Sequence, residues 1–475
     1  MIVMKRYLFS ILLFIIAVFS LTTDWYGYLI FAISAILIIW MIQKLGNGIL
    51  LRESIAFFYV FTCLIMPWIG YDFYTIENHL SRIWVGYMLV PKAEYYAFNL
   101  PAITIFSLAI TWPLANGADS GGGIRQAIQK TRDILANNYR YGIIILCIGF
   151  VVSIITPFLP AGLQFFSNLF YFASFAGFMY IYFCPKFRYK IPVILLFSIS
   201  IFANALSLGM FTIVAYMGIT LFSFFFLGSK TSFLKKILVF VSAVVFLIVL
   251  QNVKASYRKY VWKSNYTGNK ALLFVNLFID NLQKGDALIE TNAFFPLYLR
   301  SNQGFNISLV MKRIPASKPY DGGNRLGTVF ASAFVPRFLW PDKPEAGGKF
   351  NMEYYAGRII RGWSTNVGPL GEAYGSFGIK GGIIYMALLG FFIRWVYLMI
   401  FKITRNIPLL ICWLPVFFFQ VISSAETDSL QIFNSVFKSV FFVWLLYIAL
   451  PQWFGKAKKQ TGKYAAKQVV AQASS

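Results

Sequence analysis

Apolar runs of about 17 to 22 residues recur along this chain, each long enough to cross a bilayer core about 30 Å thick. They fall at about 7–22, 25–43, 54–70, 95–115, 141–158, 162–184, 191–207, 209–227, 236–252, 381–401, 407–425 and 430–450. This pattern predicts an all-α polytopic membrane protein with about twelve transmembrane helices. A membrane β-barrel would show short alternating segments instead. Composition agrees: 59% of the residues are hydrophobic and 12% are charged, against roughly 25% charged in an ordinary soluble domain. The expected organisation is nine helices within 1–252, with a cytoplasmic loop at 116–140, then a large outward-facing loop subdomain at 253–380. The last three helices follow at 381–450, with a basic tail at 451–475.

The net charge of +25 would suit a nucleic-acid binder, but its distribution excludes that class. Lys5/Arg6, Lys44/Arg52, the 116–140 loop, 185–190, Lys230/Lys235/Lys236, 402–405 and the tail all fall on one side of the predicted spans. The positive-inside rule assigns that side to the cytoplasm and makes both termini cytoplasmic. Cys63, Cys147, Cys184 and Cys412 lie inside or at the ends of apolar runs, so neither a disulfide framework nor a zinc site is expected. The N-terminal run lacks a small-residue cleavage site and leads at once into another span, and it reads as the first helix.

Within 116–140, Gly121-Gly122-Gly123 has no preceding strand and no following Gly-Lys-Ser/Thr, so it reads as a hinge rather than a phosphate loop. Beyond it Ile124, Ile128, Thr131 and Leu135 share one helical face, which predicts a helix lying on the inner leaflet.

The outward segment is rich in Arg, Lys, Gly and aromatic residues. Its cations include Arg258, Lys259, Lys263, Arg300, Lys312, Arg313, Arg325, Arg337, Lys343, Lys349, Arg358 and Arg361. Such a cluster suits either an anionic substrate clamped by guanidinium groups or anionic lipid headgroups. Gly322-Gly323, Gly347-Gly348, Gly368, Gly371, Gly375 and Gly378 allow close backbone approach to a ligand, or tight turns. Trp262, Trp340, Trp363, Tyr354 and Tyr355 suit sugar stacking or an interfacial aromatic belt. Acids are scarce. Glu372, just before a predicted span, is the candidate general base for a sugar hydroxyl, with pairing to Arg358 or Arg361 as the alternative. Asp342 and Glu353 are further candidates, while His79 and Asp24 read as structural.

Two stretches carry a resemblance. Pro336-Arg337-Phe338-Leu339-Trp340-Pro341-Asp342-Lys343-Pro344 and Gly371-Glu372-Ala373-Tyr374-Gly375-Ser376-Phe377-Gly378, with the layout of spans, resemble bacterial oligosaccharide repeat-unit polymerases of the Wzy O-antigen type. Arg337 to Gly348 also fits an Arg-x₁₀-Gly pattern of some relatives. The resemblance implies a GT-C-like, metal- and cofactor-independent glycosyltransferase of the bacterial inner membrane. Such an enzyme moves a growing glycan from undecaprenyl diphosphate to the next carrier-linked unit, and a chain-length regulator protein can accompany it. On that basis Glu372 and Arg337 are the catalytic candidates. Arg300, Arg325, Arg337, Lys343, Arg358 and Arg361 would bind the diphosphate, and Trp340, Trp363 and Tyr374 the sugar. An O-antigen ligase, another lipid-carrier GT-C glycosyltransferase, and a flippase or transporter are the rival readings.

Overall fold

A computed structural model describes residues 2–114, 118–208, 218, 221–227, 232–263, 266–283, 291–335, 339–344, 347–359 and 365–456. Among these residues the chain is built from helices without strands, save an isolated bridge between Gly48 and Ser120. Helices α1 (Ile2–Thr22), α2 (Tyr26–Lys44), α3 (Leu51–Asp72), α4 (His79–Trp84) and α5 (Lys92–Thr111) come first. They are followed by α6 (Gly121–Ile155), α7 (Ala161–Phe183), α8 (Lys190–Leu208) and α9 (Phe233–Arg258). The polar segment 253–380 contributes α10 (Lys270–Gln283), α11 (Thr291–Ser301), α12 (Gln303–Arg313), α13 (Asn324–Phe334) and the short α14 (Gly348–Asn351). Helix α15 (Gly368–Thr404), a broken segment Pro408–Glu426 and α16 (Ser429–Ala449) complete it.

Among the described residues six segments are long and apolar enough to cross a membrane: Tyr26–Lys44, Leu51–Asp72, Gly121–Phe158, Gly368–Thr404, Pro408–Glu426 and Ser429–Ala449. The chain is therefore a helical membrane protein. Helices also form where spans were expected at 7–22, 95–115, 162–184, 191–207 and 236–252, while most of 209–227 lies outside the described residues.

The chain resolves into two compact units. The first comprises Met1–Arg125, Leu195–Met399 and Phe418–Phe437; the second comprises Gln126–Ile194, Ile400–Phe417 and Lys438–Ser475. Helices α10–α14 belong to the first unit, where α12 is anchored through an irregularity in α3. Residues Phe61–Ile65 form a π turn, and Pro67 lacks an N–H, so the helical ladder is disturbed there. Carbonyls freed in an apolar interior need other donors. Tyr95 and Tyr96 of α5 supply them, donating to the carbonyls of Cys63 (2.8 Å) and Leu64 (2.9 Å). Gly304 of α12 then packs on Pro67 and the Tyr95 hydroxyl so closely that a Cβ would overlap both.

Several positions depart from the sequence reading. Lys44 and Arg52, expected among the cytoplasmic-side charges, are buried. Lys44 pairs with Glu53 and Asp119 (both 2.8 Å), and Arg52 pairs with Asp119 (2.9 Å) and donates to the Ile110 and Trp112 carbonyls. Glu53 is near in sequence, but Asp119 and the Ile110 and Trp112 carbonyls come from distant parts of it, which is why charge counting misses them. The glycine run, expected as a hinge, opens α6: Gly121 takes φ +59°, and its N–H donates to the Asn47 carbonyl at 2.7 Å.

Helix α6 breaks at Asn138 (φ −122°, ψ 22°), between the amphipathic stretch and the apolar one. Ile124, Ile128, Thr131 and Leu135 are all buried in protein, whereas the sequence placed this face on lipid. In the second unit Thr131 donates to the Pro408 carbonyl (3.1 Å) and Cys184 to that of Leu135 (3.4 Å). Helices α6 and α7 interlock through Gly142 against Gly177 and Gly149 against Ser174, small residues that let apolar helices approach closely. Tyr180 donates to the Trp453 carbonyl (2.8 Å) and accepts from the Trp413 indole (3.0 Å).

Candidate functional site

Ser423-Ser424-Ala425-Glu426-Thr427-Asp428-Ser429 interrupts two apolar runs with a polar stretch that holds two of the chain's 17 acids. The fold turns this stretch into the hub of a buried polar network in the first unit.

Helix α15 begins at Gly368 and breaks at Gly378 (φ 66°, ψ −157°), a conformation suited to glycine, with the Tyr320 ring against it. Glu372 lies in the half before the break and is 1% exposed. Asn351 donates to its Oε1 (2.7 Å), while the Ser429 N–H (2.9 Å) and hydroxyl both donate to Oε2. The Tyr385 hydroxyl shares a 2.6 Å hydrogen bond with Ser429 Oγ, extending the chain of hydroxyls. The pairing with Arg358 foreseen from sequence does not form: Arg358 is exposed, and no ion pair of Glu372 occurs among the described residues.

Asp428, next to Ser429, is fully buried. Its Oδ2 accepts from the Gly347 N–H (2.8 Å), Asn366 Nδ2 (3.0 Å) and Gln431 Nε2 (3.1 Å), and its Oδ1 from the Gln431 N–H (2.7 Å). Burial pushes this carboxyl upward, against the lowering effect of those donors. Through Gly347 and Asn366 it fixes the two loops that flank α14. These loops also meet at Gly348, where a Cβ would overlap the Thr365 carbonyl. Gln303 supports the second loop by donating to the Asn366 carbonyl (2.7 Å), and Asn306 by donating to Thr365 Oγ1 (2.7 Å).

Glu426, two residues before Asp428, receives Arg300 Nη2 at 2.8 Å. Lys254, two residues beyond the apolar run of α9, is 7% exposed. Burial, with Arg258 and Arg300 nearby, pushes its ammonium down to about 8, and Glu426 opposes the shift. Lys254, Arg258 and Arg300 thus lie close to one another, and Glu426 is the acid that Arg300 pairs with. A second group surrounds Tyr354. Lys318 Nζ lies 3.2 Å from its ring centre and donates to its carbonyl (2.9 Å), and Arg325 lies 5.5 Å from the ring. Arg313 donates to the Glu353 and Tyr354 carbonyls, and the Tyr354 hydroxyl donates to Asp321 (3.3 Å). Arg325 Nε is buried with no hydrogen-bond partner among the described residues.

The structure thus ties Glu372 and Arg300 to one stretch, 426–429. Lys343 donates to the carbonyls of Ser332 (3.1 Å) and Val335 (2.8 Å), closing the end of α13. Tyr374 is 4% exposed and packs between Phe98 and Tyr320, inside the unit rather than on an open face. Trp340 is half-buried. Arg337, Arg361 and Trp363 lie outside the described residues. His79 is exposed at the start of α4, and Asp24 accepts from the Tyr26 hydroxyl (2.7 Å) between α1 and α2. Sequence reasoning missed Glu426, Asp428, Ser429, Asn351 and Asn366. The available signal was the concentration of two scarce acids in one polar interruption.

The sequence profile of DUF8712, described as a domain of unknown function, matches residues 124–453. The match spans more than half of the chain, and the protein belongs to that family. No curated protein and no solved structure matches.

Proposed function

Starting from a helical membrane protein of this family, we propose that the chain is a polymerase of undecaprenyl-diphosphate-linked oligosaccharide repeat units. It would act at the outer face of the bacterial inner membrane, on a GT-C-like scaffold of about twelve spans with both termini in the cytoplasm. The observation that carries this reading is the tie of one buried carboxylate and one cation, Glu372 and Arg300, to the same short stretch at 426–429.

In the proposed reaction an acceptor sugar hydroxyl attacks the anomeric carbon of the donor glycan. The bond from that carbon to the diphosphate breaks, and the carrier diphosphate leaves with the electron pair. Glu372 takes the hydroxyl proton, with the Ser429–Tyr385 chain holding its carboxylate in place. Arg300, Lys254 and Arg258 supply fixed positive charge for the leaving diphosphate, joined by Arg337. Arg325, with its unpartnered Nε, is a further donor. The test is elongation of a purified, radiolabelled lipid-linked repeat unit by the reconstituted protein. The reading expects products that grow by whole units, and no growth with active acceptor and donor present contradicts it.

One observation favours a second reading. Pro408–Glu426 is a buried, broken segment that changes between 3₁₀ and α geometry, as discontinuous helices of transporters do. Under that reading the same assay shows transfer of the lipid-linked unit between leaflets without elongation.

A further inference from the structure

The second unit has a charge imbalance that the outer site does not use. Asp133 is the single acidic residue in its sequence, against many lysines and arginines. Arg132, Arg140, Lys186 and Arg188 are exposed in it, and Lys190 is partly so. Asp133 neutralises none of them by an ion pair among the described residues, and it accepts from Gln129 instead. These cations are gathered around the connection from α7 to α8, where Arg132 lies 6.0 Å from the Phe183 ring. Arg140 follows the break at Asn138 and stands four residues before the exposed Ile144. Arg188 adjoins Tyr189, which is 60% exposed, and Ile191, at the start of α8, is 70% exposed. Aromatic rings are interleaved with the charges: Lys190 lies 5.4 Å from the Tyr182 ring, and Tyr139 packs on Phe187 with ring centres 5.3 Å apart.

Cations one turn from lipid-facing apolar residues, with aromatic rings at the same level, sit at headgroup depth. A soluble acidic protein domain would meet these charges only beyond the headgroups, so the geometry favours lipid. We propose that this end of the second unit is a binding surface for acidic phospholipid headgroups. The phosphates lie against Arg132, Arg140, Lys186, Arg188 and Lys190, and Tyr189 enters the interface beside them. On the orientation proposed above, this is the inner leaflet. The inference does not depend on the chemistry of the outer site, and its test reads no glycan transfer.

The full chain is reconstituted in nanodiscs of phosphatidylcholine, alone or mixed with phosphatidylglycerol, and its co-purifying lipids are quantified after transfer to detergent. The wild type is expected to retain phosphatidylglycerol above its share of the mixture and to melt at higher temperature in the mixed discs. Each charge lost should weaken the preference about fivefold, so R132Q/R188Q should lower it strongly, and about 0.5 M salt should do the same. The charge-preserving R132K/R188K keeps the preference if charge, rather than a fold defect, is responsible. Equal retention of the two lipids by the wild type overturns the proposal, as does an undiminished preference in R132Q/R188Q. An acidic protein partner as the true occupant would give the first of those results.

Discussion

Ser429 donates both its backbone N–H and its hydroxyl to one carboxylate oxygen of Glu372, 57 positions earlier in the chain. That double contact joins the start of α16 to the first half of α15, and among the described residues Asn351 is the one donor to Glu372 Oε1. Ser429→Ala keeps the backbone bond and removes the hydroxyl one. The expected cost is about 1.5–3 kcal/mol of stability, the range for a hydrogen bond to a charged group, measured as a lower melting temperature in detergent. Ser429→Thr, which restores the hydroxyl, should recover part of the loss.

Asp428 holds Gly347 and Asn366 together, so Asp428→Ala leaves buried donors without an acceptor. About 2–4 kcal/mol of destabilisation is expected. Limited proteolysis should show earlier cleavage between α13 and α15 in the variant, whereas an unchanged cleavage pattern would separate Asp428 from loop positioning.

Lys254 gives a pH signature. Its folded-state value of about 8 lies below its ordinary value of 10.5, so between these limits the unfolded chain binds more protons than the folded one. Stability from this group therefore rises with pH from about 8 to 10.5 and is lowest below 8, where the folded protein must carry the buried charge. Lys254→Met should remove that slope and add about 1–3 kcal/mol at neutral pH. Thermal melts across pH 7 to 10.5 provide the comparison.

Asp119 receives Lys44 and Arg52 in a buried network with Glu53. Asp119→Ala strands two buried cations and should cost about 3–5 kcal/mol, visible as loss of the monodisperse peak on gel filtration. A variant as stable as the wild type would show that water reaches the network.

Much of the helical layout was legible because it is local. The run at 25–43 became Tyr26–Lys44, 54–70 became Leu51–Asp72, and 430–450 became Ser429–Ala449, each set by the continuous apolar length that a helix in lipid requires. The site was less legible because its contacts are distant in sequence. Glu372 was foreseen as a key carboxylate, but its neighbours were expected among the arginines of its own loop, and they are Asn351 and Ser429. Lys44 and Arg52 showed the same blindness, since a charge seen in one dimension carries no sign that an acid 67 or 75 positions away will cover it. Tyr374 was expected among the sugar-binding residues, and its ring is packed against Phe98, which the motif alone could not reveal.

The most direct test of the account is the surface glycan ladder of a deletion strain complemented with Glu372→Gln. That variant removes the proposed base, and a loss of about 10²–10⁴ in transfer rate is expected. The account predicts lipid cores that carry one repeat unit and no longer ladder, with the variant present in the membrane at wild-type level. Bare cores with accumulated carrier-linked polymer would mark a ligase, and a normal ladder would contradict the role assigned to Glu372.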